Sequence, residues 1–168
     1  MPLLSLGEIQ KGCVIVRVII EDTRQQPTKN AHIRLQLEKL GYKVERSKMY
    51  VGDYQFADSG KVVVDTKKDL QEVCGNLTQQ HERFKEECVR AKEAGIRLVI
   101  LIQDQRIQSL NEVPSWYNWR LKQNKFALTG KKLYRIMATM VERYGVEWQF
   151  TTRAKVGERV VDILEGRS

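Results

Sequence analysis

The sequence predicts a mixed α/β domain in which helices cover the faces of one β-sheet. Three observations carry that class. Strand-like and helix-like runs follow one another in the order β-α-β-β-β-α-α-β-α-β-α. The runs between Val51 and Thr66 lie too close together for a helical crossover and so predict antiparallel neighbours, whereas the later α-β alternation predicts parallel ones. Finally, 168 residues with 42% hydrophobic and 30% charged side chains are ordinary globular material. A chain of that length buries roughly 70% of its unfolded surface.

Each element has its own warrant. CVIVRVII (Cys13 to Ile20) is β-branched and continuous, a buried strand bounded by the polar EDTRQQPTKN. From Asn30, Ile33, Leu35, Leu37 and Leu40 suit a helix stopped by Gly41. Tyr42 to Ser47 and Val51 to Phe56 read as short strands, and Asp58-Ser59-Gly60 offers turn chemistry before a strand from Val62 to Thr66. Leu70 to Leu77 is helical, as is Gln80 to Ala94, which closes on Gly95. Ile96 to Gln103 is the most hydrophobic run and hence a central strand. Gln105 to Thr129 is loop-like, with Pro114, Trp116, Tyr117 and Trp119 clustered. A helix from about Lys131 to Tyr144, a strand in VEWQF and a last helix from Lys155 to Leu164 complete the chain. No repeat, low-complexity segment or linker interrupts it.

Charge and cysteines narrow the function classes. With 29 basic against 21 acidic residues the formal net charge is +8, which suits a polyanionic partner because each cation on a phosphate releases counterions. Taken alone, that signal is weak. Cys13, Cys74 and Cys88 are odd in number, lack C-x-x-C spacing and have only His32 and His81 beside them. A disulfide framework or a zinc site is therefore not expected, and three thiols in a reducing compartment are. The N-terminus has no basic n-region and reaches Glu8 before a long apolar run, and no run approaches a membrane span. The expectation is a cytoplasmic protein with no membrane partner.

The chemistry concentrates in VGDYQFADSGKVVVDTKKDL, Val51 to Leu70. Residues i and i+2 of a strand share a face, so Asp65 and Lys67 project together. A hairpin turning at Asp58-Ser59-Gly60 brings Asp53 opposite Asp65 or close to it. Two neighbouring carboxylates repel, and burial makes both costly. A hard divalent cation removes the conflict, since Mg²⁺ is commonly held by one or two carboxylates with waters and phosphate oxygens. Lys67 would then polarise or orient the attacking water in a metal-assisted phosphodiester hydrolysis. The spacing equally allows Asp53 as a turn residue after Gly52 and Asp65–Lys67 as an ion pair on a solvated edge. Three successive valines, Val62 to Val64, argue for a strand buried on both faces.

Asp22-Thr23-Arg24-Gln25-Gln26, Val51-Gly52-Asp53-Tyr54 and Val64-Asp65-Thr66-Lys67, followed by Leu77 and Arg83-Phe84, resemble the nuclease domain of XPF-type structure-specific endonucleases of the PD-(D/E)XK superfamily. The family pattern is D-x-R-E after the first strand, a G-D pair, and E-R-K-x3-D. The resemblance covers residues 14–103 and leaves 104–168 as an α/β extension of a single nuclease domain, 1–168. It implies a restriction-endonuclease-like mixed sheet flanked by helices. Asp53 and Asp65 become the metal carboxylates for Mg²⁺ or Mn²⁺, Lys67 the catalytic lysine and Asp22 an accessory catalytic acid. Arg24, Arg83 and Lys68 become substrate contacts. The chain is also similar to short members carried by phages and mobile elements of Gram-positive bacteria, which implies a bacterial cytosol or a phage-infected host cell. A homodimer through the nuclease domain is a further implication.

The chain departs from the family pattern at four places. Asp65 stands for the usual glutamate, Thr66 for arginine, Gln71 for the last acid and Gln25 for the glutamate of D-x-R-E. Asp69 or Glu72 is expected to supply the missing acid.

Other side chains divide between two readings. His81 suits a helix start, and Arg83 in a first helical turn opposes the helix dipole unless a carboxylate or phosphate partners it. Glu86 and Glu87 read as solvated, or as partners of Arg83 and Arg90. Trp116, Tyr117 and Trp119, beside Arg120, Lys122 and Lys125, form either a lid on the core or a stacking surface for unpaired bases. Lys131, Lys132 and Arg135 at a helix start form either a phosphate-facing patch, with backbone N–H groups left free by Gly130, or a solvated face. The function expected is a metal-dependent endonuclease acting on branched, flapped or junction DNA, with RNA open as a substrate. The alternative is a catalytically weak nuclease-fold protein that binds nucleic acid or a partner protein.

Overall fold

The computed structural model describes residues 9–10, 13–14 and 16–167. In chain order the elements are β1 (Ile9–Gln10), β2 (Cys13–Val14), β3 (Val18–Asp22), α1 (Ala31–Lys39), β4 (Lys43–Ser47), β5 (Tyr54–Phe56), β6 (Ser59–Lys67), α2 (Leu70–Thr78), α3 (His81–Glu93), β7 (Arg97–Gln103), α4 (Gly130–Tyr144), β8 (Glu147–Thr151) and α5 (Val156–Leu164). Two turns of 3₁₀ helix, Leu110–Ser115 and Trp119–Lys122, lie between β7 and α4. β1 and β2 pair only with each other, while the other strands form one sheet in the order β4-β3-β5-β6-β7-β8. β5 is antiparallel to both its neighbours, and β6, β7 and β8 run parallel. The mixed sheet flanked by helices is the expected one.

Its apolar residues alternate between two cores, as the period of a strand requires. Leu98, Ile100 and Ile102 of β7 face α2, α3 and α4, where Leu77, Phe84, Leu133 and Met137 pack. Val99 and Leu101 face α1 and α5, where Ile33, Leu37, Val160 and Ile163 pack. The valines of β6 divide the same way, Val63 to the first core and Val64 to the second. β6 is therefore buried on both faces at its carboxyl end, and the solvated-edge reading of Asp65 and Lys67 falls.

Three boundaries differ from expectation, each for a local reason. The first strand of the main sheet is β3, which starts at Val18 and runs on through Glu21 and Asp22. Both acids are buried because hydrogen-bond partners receive them, so polarity does not end the strand here. Of the expected strand upstream, Cys13 and Val14 pair with the β1 hairpin and Ile15 lies outside the described residues, as does the segment before Ile9. The second difference is the hairpin turn, which is Ala57–Asp58 because Phe56 already pairs with Ser59. A register shift then absorbs the extra residues of β6, so that Tyr54 pairs with Val64. Third, β5 begins at Tyr54, because Gly52 turns the chain at φ 69°. A Cβ at Gly52 would stand 2.3 Å from Val63 Cγ1, so glycine alone lets this turn lie flat on β6.

Candidate active site

Gly52 sets the site. With that turn pressed on β6, Asp53 N–H donates to Val64 O at 2.9 Å and the Asp53 carboxylate arrives beside Thr66. Asp53 Oδ2 accepts from both Thr66 N (2.9 Å) and Thr66 Oγ1 (2.8 Å). Asp53 Oδ1 accepts from Gln25 Nε2 at 2.9 Å. The two departures from the family pattern at Gln25 and Thr66 thus have a physical role here: a neutral amide and a hydroxyl hold a buried carboxylate that an acid at Gln25 would repel. Burial first, then the charge of Asp65, raise the Asp53 carboxyl to about 7, against the opposing pull of Lys67 and the Thr66 hydrogen bonds.

Asp65 and Lys67 project together as the strand period requires, with Lys67 Nζ 2.8 Å from Asp65 Oδ2. The ammonium is close but off the hydrogen-bond line, so this buried oxygen has no hydrogen-bond partner. Burial alone would lower the Lys67 pKa, but Asp65 and Asp53 outweigh it and the ammonium is held more firmly than usual. Lys67 also lies 5.4 Å from the Phe84 ring centre.

A third acid comes from α3. Gly52 N–H donates to Glu87 Oε1 at 2.8 Å, which ties this carboxylate to the residue preceding Asp53. Burial pushes the Glu87 carboxyl up, and the charge of Asp65 adds to it. Glu87 is therefore not solvated, nor paired with Arg83 or Arg90. Asp69 and Glu72, expected to supply the missing acid, are already engaged. Asp69 caps α2 by accepting from Glu72 N at 2.7 Å. Glu72 accepts from Lys29 Nζ (2.9 Å) and Lys68 N (2.8 Å), and these partners overcome its burial and lower its pKa.

These groups line a cleft of about 810 Å³ between the sheet's carboxyl ends, α2, α3 and the second 3₁₀ turn. Asp22 lies in it, with Oδ2 accepting from Arg24 Nε (2.7 Å) and Oδ1 from Met49 N (2.9 Å). Arg24, Lys68, Arg83 and Arg90 add positive charge to the same walls. Arg83 makes no ion pair among the described residues, which leaves it available to an anion in the cleft. Lys131 and Lys132 lie elsewhere, exposed at the start of α4 and outside the cleft lining. Nor does Gly130 leave that helix end open: Thr129 Oγ1 caps Lys132 N, and a Cβ on Gly130 would stand 2.5 Å from the carbonyl oxygens of Val113 and Trp116.

The ERCC4 domain family model matches residues 21–159, from the buried acids of β3 into α5. The chain belongs to the ERCC4 domain family. Solved structures agree on the ERCC4 fold. One, described as XPF from Aeropyrum pernix, is 20% identical with a TM-score of 0.61, covering 88% of this chain and 59% of that one. A second, described as XPF from Aeropyrum pernix in complex with DNA, is 19% identical with a TM-score of 0.63, covering 88% of this chain and 63% of that one. This ERCC4 domain thus spans about three-fifths of the length of those chains. A comparison with curated proteins finds no match.

The donor set of this ERCC4 domain fits a hard divalent cation. Asp53, Asp65 and Glu87 offer only oxygens, the preference of Mg²⁺ and Mn²⁺. Asp65 Oδ2 is buried with only the Lys67 ammonium against it, at 2.8 Å and without an aligned hydrogen bond, which leaves lone-pair capacity for a cation. Among the described residues no three His, Cys, Asp or Glu side chains close into a metal cage. A cation here would keep water in its shell, as Mg²⁺ does at sites with few protein ligands.

Proposed function

We propose that this ERCC4 domain is a divalent-metal-dependent endonuclease that hydrolyses phosphodiester bonds in DNA, acting at branches, flaps or junctions. One observation carries the reading: Asp53 and Asp65 share a buried site at the cleft floor, where the Lys67 ammonium stands against Asp65 Oδ2 without an aligned hydrogen bond. A structural ion pair would be closed. This one is open toward a cleft with cations on its walls. The net charge of +8 and the DNA-bound state of a relative of the same fold support a polyanionic substrate.

Asp53 and Asp65 would hold Mg²⁺ or Mn²⁺, with Glu87 as the third carboxylate in place of the acid missing at Gln71. The cation supplies Lewis acidity and lowers the pKa of water at neutral pH. Lys67 donates to a phosphate oxygen or orients the attacking water, and stabilises charge that develops at phosphorus. Arg83 and Arg24 hold phosphates of the strand. Asp22 keeps Arg24 in place through its 2.7 Å hydrogen bond.

A second reading, a binding protein with weak or no activity, draws on Gln71, whose buried Oε1 lacks a partner where the family pattern has an acid. One experiment separates them. Labelled fork, flap, Holliday and linear DNAs, with matching RNA strands, are incubated with Mg²⁺, Mn²⁺ or EDTA. Cutting should require the metal, and Lys67→Ala should lower its rate about 100- to 1,000-fold. Cutting that ignores EDTA, or persists undiminished in Lys67→Ala, would sink the mechanism. Binding without cutting under every metal would establish the second reading.

A further inference from the structure

Trp119 is 53% exposed, yet it lines the same cleft as Asp53 and Asp65. The turn that presents it is pinned. Asn118, just before it, is buried and donates from Nδ2 to Leu128 O at 2.9 Å while Oδ1 accepts from Arg120 N at 3.0 Å. Gln123 N and Asn124 N both close onto Arg120 O. Trp116, three residues earlier, packs instead against the core beneath α4. The aromatic cluster therefore divides: Trp116 is the lid on the core, and Trp119 faces the cleft.

Gly75 of α2 also lines the cleft, and a Cβ built on it would meet nothing within 4 Å. A mid-helix glycine that crowds no neighbour loses helix propensity without a packing reason, and it keeps that part of the lining free of a side chain. Asn76 and Gln79 beside it present amides to the cleft. Arg120 lies over the Trp119 ring, 5.8 Å from its centre, and adds positive charge to the same wall. An aromatic face, a backing guanidinium, an open helix surface and flanking amides suit a flat, polar-edged ring attached to a phosphate.

We propose that Trp119 stacks on an unpaired nucleotide base that enters the cleft. The proposal rests on the endonuclease reading and names a residue that would contact the single-stranded part of its substrate. A paired base has both faces covered by its neighbours and cannot stack on the ring.

The test measures binding in EDTA, apart from cleavage, by anisotropy of labelled single-stranded DNA, single-stranded RNA, blunt duplex, and a strand with one run of abasic sites. Trp119→Ala should weaken single-strand binding about tenfold, while Trp119→Phe should keep most of the affinity. Blunt-duplex binding should change less than twofold, and the abasic strand should bind wild type and Trp119→Ala alike. RNA equal to DNA in these arms would fit stacking alone, since both carry the same ring faces. Equal losses on duplex and single strand, or a Phe variant as weak as Ala, would overturn the proposal. So would a Trp119→Ala protein that becomes monomeric with oligonucleotide affinity intact, which assigns the ring to a second copy of the chain. If Lys67→Ala abolishes cutting while Trp119→Ala changes no binding, the inference fails and the endonuclease reading stands. If no nucleic acid is bound or cut, both fall.

Discussion

Glu21, at the end of β3, and the cleft carboxylates of Asp53, Asp65 and Glu87 sit in surroundings that differ in kind. Glu21, 1% exposed, faces the α1 and α5 side, where both its oxygens are taken. Oε1 accepts from Arg34 Nη2 at 2.6 Å with Arg46 Nε at 3.1 Å, and Oε2 accepts from Tyr54 OH at 3.0 Å. On the other face, Asp53, Asp65 and Glu87 have one lysine against them and an oxygen of Asp65 without a hydrogen bond. The first cluster partners both oxygens of its carboxylate, as a structural network does, and leaves only Arg34 Nε without a hydrogen bond. In the second, burial and the charge of Asp65 raise the Asp53 and Glu87 carboxyls, which suits a place that receives a cation.

The same substitution on each face breaks the comparison most directly. Glu21→Gln leaves Arg34 and Arg46 without their counter-charge beside a buried amide, and should cost about 3 kcal/mol of unfolding free energy. Glu87→Gln keeps a carbonyl oxygen for Gly52 N–H while removing a charge that Asp65 opposes. In the absence of metal it should be neutral or stabilising by up to about 1 kcal/mol. Urea melts in EDTA read both. A Glu87→Gln protein as destabilised as Glu21→Gln would make the two faces equivalent and remove the ground for an open site.

Metal affinity sharpens the same contrast with a smaller effect. If Glu87 supplies the third carboxylate, Glu87→Gln should weaken Mn²⁺ binding about tenfold, measured by calorimetry on the protein without DNA. Glu72→Gln, whose oxygens Lys29 and Lys68 already occupy, should leave it within about twofold. The reverse order would return the missing acid to α2.

How much of this was legible follows from what each feature depends on. Helix stops at Gly41, Gly95 and Gly145, all at positive φ, and the doubly buried β6 are local patterns, so period and residue type reveal them. The Asp53, Asp65, Lys67 grouping needed only the hairpin and the period of a strand. The Asp69 cap was missed, although D-x-x-E at the start of α2 is its signature, and the cap explains why Asp69 is not a spare acid. Glu87 was not legible. On α3 it lies between Phe84 and Cys88 at the margin of the apolar face, and the spacing suited Arg83 and Arg90 equally well. Only the approach of Gly52 from another element shows its partner. Arg17 had no assigned role, and the fold gives it one over the Phe56 ring, 3.5 Å from its centre.

The smallest expected effect is a slope with pH. Burial raises the Asp53 carboxyl to about 7, and Glu87 is raised as well. An acid with a raised folded pKa binds its proton more tightly in the native state, so it contributes stability at low pH that is lost as pH rises from the unfolded value through the folded one. Glu72 is lowered and acts the other way, but its loss comes only as pH falls through the ordinary carboxylate range. Lys67 is raised and keeps its contribution throughout the window below its unfolded value. Between about pH 5 and 8 the first two therefore decide the sign, and the metal-free protein should lose about 1 kcal/mol per pH unit, read as a falling melting temperature. Saturating Mg²⁺ should flatten the slope, because a bound cation lets the carboxylates ionise at no cost to the fold. Glu87→Gln should reduce the slope. A melting temperature that climbs from pH 5 to 8 in EDTA would mean that the buried carboxylates on the cleft face are as well compensated as Glu21, and the asymmetry between the two faces would be one of position alone.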